Sequence, residues 1–244
     1  YILFLACFCL SLSFINCKQL LGNENRGYYP SKYVYPTVGT KASFDNFLDY
    51  DTLYLGNGSM IVSSYQYSPN ILGEYRVMII EELDYLYSYE YYELAVMNGT
   101  MSLYTPYTDR EVYAVIKYDG TTSNSLNHNG LGALDFARYS GVYIQTASLT
   151  NSTYASVSVF TESGTCTYVV AINTIYTTYY LPWQWFQAYS SNNCDFSSVG
   201  AVQFTYSLIN SGFVEIEDTG LYYSNYPVSY IPSTNIPPNA AISV

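Results

Sequence analysis

Apolar positions along this chain follow two patterns: an unbroken run at the start, then alternation at every second residue. The alternating stretches predict strands over 51–55, 59–67, 75–80, 85–97, 100–104, 112–118, 142–149, 154–160, 165–180, 199–208, 213–216 and 221–223. Residues 76–92 hold Glu81, Glu82 and Asp84 among aliphatics and could be read as a short helix. From Tyr85 the order Tyr-Leu-Tyr-Ser-Tyr-Glu-Tyr restores the two-residue period, so strand is expected there. Turn dipeptides punctuate the runs: Asn57-Gly58, Asn98-Gly99 and Asp119-Gly120 are strong short hairpin signals. Many short strands at regular spacing predict an all-β fold, an antiparallel sandwich over 51–226, built as one body or two sub-domains.

The opening run, residues 1–17, carries no charged side chain. Such a run reads either as a secretory h-region or as a strand buried on both faces. No basic residue precedes it, and Leu10-Ser11-Leu12-Ser13-Phe14 alternates, so the expectation is a retained strand. A strand of that kind cannot stay in water and must enter a core, its own or a neighbour's. Residues 18–50, with Pro30, Pro36, Gly22, Gly27 and Gly39, read as an extended linker. Residues 227–244, with Pro227, Pro232, Pro237 and Pro238, read as an extended tail.

Composition narrows the functions. Acidic residues outnumber basic ones 19 to 8, for a net charge of −11. No cluster of Lys or Arg exists to neutralise phosphates, which excludes nucleic acid as a partner. Low charge with 32 tyrosines suits an extracellular surface that meets sugars or protein, because tyrosine joins an apolar ring to a polar tip. Of five cysteines, Cys166 and Cys194 are the expected internal disulfide, whereas the fates of Cys7, Cys9 and Cys17 stay open. With one histidine and no Cys-x-x-Cys, no metal site is expected, and no cofactor.

Three sequons, at Asn57, Asn98 and Asn151, fall at turns or between strands and are expected to carry N-linked glycans. No nucleophile elbow, zincin helix, P-loop or dinucleotide fingerprint occurs, so no enzyme is expected. His128 sits in a polar loop; Glu215 and Glu217 alternate with Val214 and Ile216 and read as a solvated strand face. The pairs Glu81/Glu82 and Glu90/Glu93 offer carboxylates of the kind glycoside hydrolysis uses, without supporting context. Trp183, Trp185 and Phe186 form the densest aromatic patch: core, subunit contact, or a platform for sugar rings.

An apolar N-terminal arm, a Pro/Gly linker, a β body and sequons at turns together resemble the subunits of extracellular fibres and pili built by donor-strand exchange. The resemblance implies an immunoglobulin-like body that lacks a strand and accepts one from another subunit. Leu3, Leu5, Leu10, Leu12 and Phe14 would then plug a neighbour's groove, giving a helical filament of identical subunits at the cell surface. The alternative expectation is a monomeric, secreted or lipid-anchored module for carbohydrate binding or adhesion, whose leader ends near Cys17.

Overall fold

The computed structural model describes residues 39–55, 61–82, 92–106, 111–148, 153–188, 194–209 and 212–225. Fourteen strands run through them: β1 Lys41–Asp45, β2 Asp51–Leu55, β3 Ile61–Tyr67, β4 Tyr75–Glu82, β5 Tyr92–Met97, β6 Thr100–Thr105 and β7 Glu111–Tyr118, then β8 Gly141–Ser148, β9 Thr153–Thr161, β10 Gly164–Ile172, β11 Thr177–Pro182, β12 Gln187–Ala188, β13 Val199–Ile209 and β14 Gly212–Tyr222. They form two seven-stranded antiparallel sheets. The first has the order β11-β8-β14-β6-β5-β2, with β1 also against β14; the second has the order β12-β10-β9-β13-β7-β4-β3.

Alternation decides which side chains lie between the sheets. In the second sheet Met78 and Ile80, Ala114 and Ile116, Val157 and Val159, and Phe204 and Leu208 point inward and are buried; in the first, Leu94, Val96, Val142, Ile144, Val214 and Ile216 meet them. Among the described residues one continuous apolar cluster spans both layers. Each such Val, Leu, Ile, Phe or Met side chain, fully buried, contributes about 1.5–3 kcal/mol of transfer free energy. The predicted antiparallel sandwich is therefore the observed fold. Fourteen strands exceed the seven to nine of an immunoglobulin domain, so "immunoglobulin-like" fits the layering and not the strand count.

Tertiary structure redraws several predicted boundaries. The linker expected over 18–50 ends early: Lys41–Asp45 pairs with Thr219–Tyr222 and prolongs the lane that β6 occupies beside the other half of β14. The run 165–180 is two strands in different sheets, since β10 pairs with β9 and β11 with β8. The stretches 213–216 and 221–223 are one strand with an irregularity between Ile216 and Asp218. Asp119-Gly120 does not close a hairpin but opens a long loop to β8. Among the described residues β1, β2, β3, β11 and β12 are each paired on one side only, so an added strand would join at one of these. The proposed plug residues Leu3, Leu5, Leu10, Leu12 and Phe14 lie outside the described residues, as do Cys7, Cys9, Cys17 and the tail beyond residue 225.

A buried ion pair fixes one end of the sandwich. Arg76 sits at an inward position of β4; its guanidinium donates to Asp45 Oδ2 at 2.7 Å and to the Asp49 carbonyl at 2.9 Å. The Phe47 amide donates to Asp45 Oδ1 at 2.8 Å, and the Phe47 ring lies 5.7 Å from the guanidinium carbon. Two charges taken from water this way hold only because each meets the other and further donors or acceptors.

Candidate functional site: the outer sheet faces

The aromatic patch picked out in the sequence divides. Residues 183–185 form a 3-10 turn after β11. The Trp183 ring stacks on Phe196 with centroids 4.1 Å apart, and its indole N–H donates to the Tyr139 carbonyl at 2.8 Å. Phe186 is buried beside both. These residues close one end of the core, and the Cys166–Cys194 disulfide, with Cα atoms 5.8 Å apart, ties that end to β10. Trp183 and Trp185 are both half-buried, and the Trp185 ring is tilted against Tyr168 at 5.6 Å. The patch is chiefly core, because an indole with a satisfied N–H contributes more there than in water.

The other singled-out residues do not converge. His128 is exposed in the β7–β8 loop, its ring against Phe160 at 5.0 Å. Glu81 and Glu82 leave opposite faces of β4, and Glu82 accepts a hydrogen bond from the Tyr92 hydroxyl at 3.1 Å. Glu90 lies outside the described residues, as do Asn57 and Asn151. Asn98 is exposed in the two-residue turn joining Met97 to Thr100, with φ of 56° there and 84° at Gly99. Positive φ at both positions is the hairpin geometry that Asn-Gly favours.

What the structure does assemble lies on the outer faces of the sheets. On the second sheet, Val77, Ile79 and Val115 form a small apolar cluster separate from the main core. Register places them in two rows. One runs Ser63, Ile79, Val115, Thr205, Ser156, Val169; the other runs Tyr65, Val77, Lys117, Gln203, Ser158, Thr167. Tyr65 and Tyr67 stand on this face of edge strand β3, 59% and 53% exposed, and Tyr67 lies 5.2 Å from the Tyr75 ring. From β3 to β10 the face spans five strand intervals, about 24 Å at ordinary separation.

Within these two rows the floor is uncharged in effect, with Glu81 one row beyond, opposite Tyr113. Ser158 and Thr167 share a hydrogen bond at 2.8 Å, and Gln203 Nε2 donates to Thr205 Oγ1 at 3.2 Å. The Lys117 ammonium is withdrawn into the β7–β8 loop: it lies 3.1 Å from Asp119 Oδ2 and donates to the carbonyls of Ser123 and Ser125. Asp119 in turn accepts from the Thr121 and Asn127 amides. Gly200 lets the loop close over β13, since a Cβ there would meet the His128 carbonyl at 1.7 Å. The result is tyrosine rings at one end and a hydroxyl and amide floor beyond, in which Gln203 and Ser158 are half-buried and Thr205, Ser156 and Thr167 are buried. Rings offer apolar faces, and the floor offers donors and acceptors.

The outer face of the first sheet differs in charge. Asp218 Oδ1 accepts from Ser43 and Oδ2 from the Tyr143 hydroxyl, both at 2.7 Å. Burial pushes the Asp218 carboxyl above its ordinary range, while Ser43, Tyr143 and nearby Lys41 pull it back. The Lys41 ammonium lies 4.3 Å from the Tyr143 ring centroid and 5.7 Å from that of Tyr180. Glu217 accepts from Gln145, and the Tyr176 hydroxyl is raised well above its ordinary pKa by burial first, then by Glu217 and Glu215. The solvated face predicted for Glu215 and Glu217 is this one. Sequence reading missed Lys41, Asp218 and Tyr143 because only the β1–β14–β8 pairing brings them together; alternation was the available signal.

No protein-family profile and no curated protein matches the chain. Among solved structures it is similar to the family 11 carbohydrate-binding module from Clostridium thermocellum in complex with a β-1,3-1,4-mixed-linked tetrasaccharide, at 13% identity over 78% of this chain and 98% of that one, TM-score 0.44. A family 11 module of the cellulosomal cellulase Lic26A-Cel5E of the same organism gives 14% identity, 78% and 97% coverage, TM-score 0.43. A family 30 carbohydrate-binding module of a cellulosomal cellulase of C. thermocellum gives 14% identity, 72% and 99% coverage, TM-score 0.38. Likeness of this size concerns the two-layered arrangement of antiparallel strands and goes no further.

Proposed function

We propose that this chain is a non-catalytic, extracellular carbohydrate-binding module that takes a neutral glycan on the outer face of its second sheet. The carrying observation is the pair Tyr65 and Tyr67, exposed on one face of β3 and leading onto half-buried Gln203 and Ser158, with Thr205 and Ser156 buried beside them. A pyranose ring has an apolar face that stacks on tyrosine and hydroxyls that pair with such a floor. Lys117 is held within its own loop, so the face offers little to an anionic polymer, and the net charge of −11 repels one. The disulfide suits an oxidising compartment.

Affinity electrophoresis through gels containing a soluble neutral β-glucan, a galactan or a sulfated polysaccharide tests the reading. Retardation is expected in a neutral gel. Tyr65→Ala with Tyr67→Ala should weaken it about tenfold, near 1.4 kcal/mol, with an unchanged circular dichroism spectrum. Retardation that survives that pair but disappears in Trp185→Ala would move the site to the end of the sandwich. Absence of retardation in every neutral gel would reject the function.

A further inference from the structure

The first sheet carries a second surface of opposite character. Its outer face presents Glu93, Glu215, Glu217 and Asp218 against Lys41 as the basic residue among the described ones. Aromatic rings lie among these carboxylates: Tyr54 and Tyr104, 58% and 39% exposed, flank Glu93 across β2, β5 and β6. Toward the other edge stand Tyr176, Tyr143 and Tyr180. A cation is already held here, since Lys41 sits over two of those rings with Asp218 nearby.

The sequence distributes its charge to match. Residues 1–38 contain Lys18, Arg26 and Lys32 against Glu24 alone, net +2, which leaves −13 on the rest of the chain. The chain enters the body beside this face. The Gly39 amide donates to the Tyr223 carbonyl at 2.9 Å, the Tyr223 amide donates to the Thr40 carbonyl at 2.9 Å, and Lys41 then pairs with Tyr222. We propose that the acidic, tyrosine-bearing face of the first sheet is the docking surface for residues 18–38 of the same chain. Lys32 is nine residues from Lys41, and direct attachment gives the segment a high effective concentration at the face. The sugar reading concerns the other sheet, so this proposal stands or falls apart from it.

Chymotryptic cleavage after Tyr28 and Tyr33 of the full chain, followed by mass spectrometry, tests the docking. Slow cleavage is expected in low salt. Glu215→Lys with Glu217→Lys should speed it at least fivefold, and adding Arg26→Glu and Lys32→Glu to that background should restore protection. Wild-type protein in about 1 M salt, where the Debye length is about 3 Å, should release the segment without any substitution. Protection should not change on dilution. Equal rates in wild type and charge-reversed protein, failure of the swap to restore protection, or protection lost on dilution would each overturn the proposal.

Discussion

Asp218 shows how one side chain can be set by strands far apart in sequence. It lies just past the irregularity in β14, and its two oxygens are held by Ser43 from β1 and Tyr143 from β8. Its folded pKa stands above the unfolded value, mainly through burial. The folded state therefore takes up the proton first. The stability this group contributes is full below its unfolded pKa and is lost as pH rises through the raised value. Urea denaturation compared with Asp218→Asn checks the sign: wild type should gain relative stability as pH falls from about 7 to about 4. A relative loss over that window would mean that hydrogen bonding, not burial, dominates the carboxylate.

At the scale of elements, the loop between β7 and β8 is organised by a lysine. Lys117 and Asp119 are both buried, and the ammonium gathers the Ser123 and Ser125 carbonyls around itself. Lys117→Met should destabilise the protein by about 3–5 kcal/mol, because Asp119 is left buried without its counter-charge. A lower urea midpoint at unchanged slope would report it. The hairpin signal at Asn98-Gly99 was sufficient because both turn residues accept positive φ and the flanking strands lie in one sheet. The same signal at Asp119-Gly120 was not, because the Asp119 carboxylate and Lys117 stabilise a loop instead. Continuous alternation through 165–180 hid the passage from one sheet to the other, since both layers demand the same two-residue period.

On the scale of the whole molecule, the disulfide joins β10 to the segment carrying Phe196, which stacks on Trp183. With a sequence separation of 28 between its cysteines, the loop-closure model gives a contribution of about 3.5 kcal/mol. Replacing both cysteines by alanine should lower stability by about that amount. The loss should appear in the near-ultraviolet tryptophan circular dichroism before the far-ultraviolet strand signal. Two outer faces of different charge then give the sandwich two distinct surfaces, one neutral and hydroxyl-rich, the other acidic and aromatic.

The sequence by itself determined that the chain is all β, where most strands lie, and which two cysteines pair. It did so because alternation, Asn-Gly turns and cysteine position are local or composition-level constraints. Only the tertiary structure decided that residues 41–45 belong to the body, that the tryptophan patch is chiefly core, and which strands share a face. Those outcomes depend on sheet order, and sheet order is set by long-range pairing between strands that any local pattern leaves interchangeable.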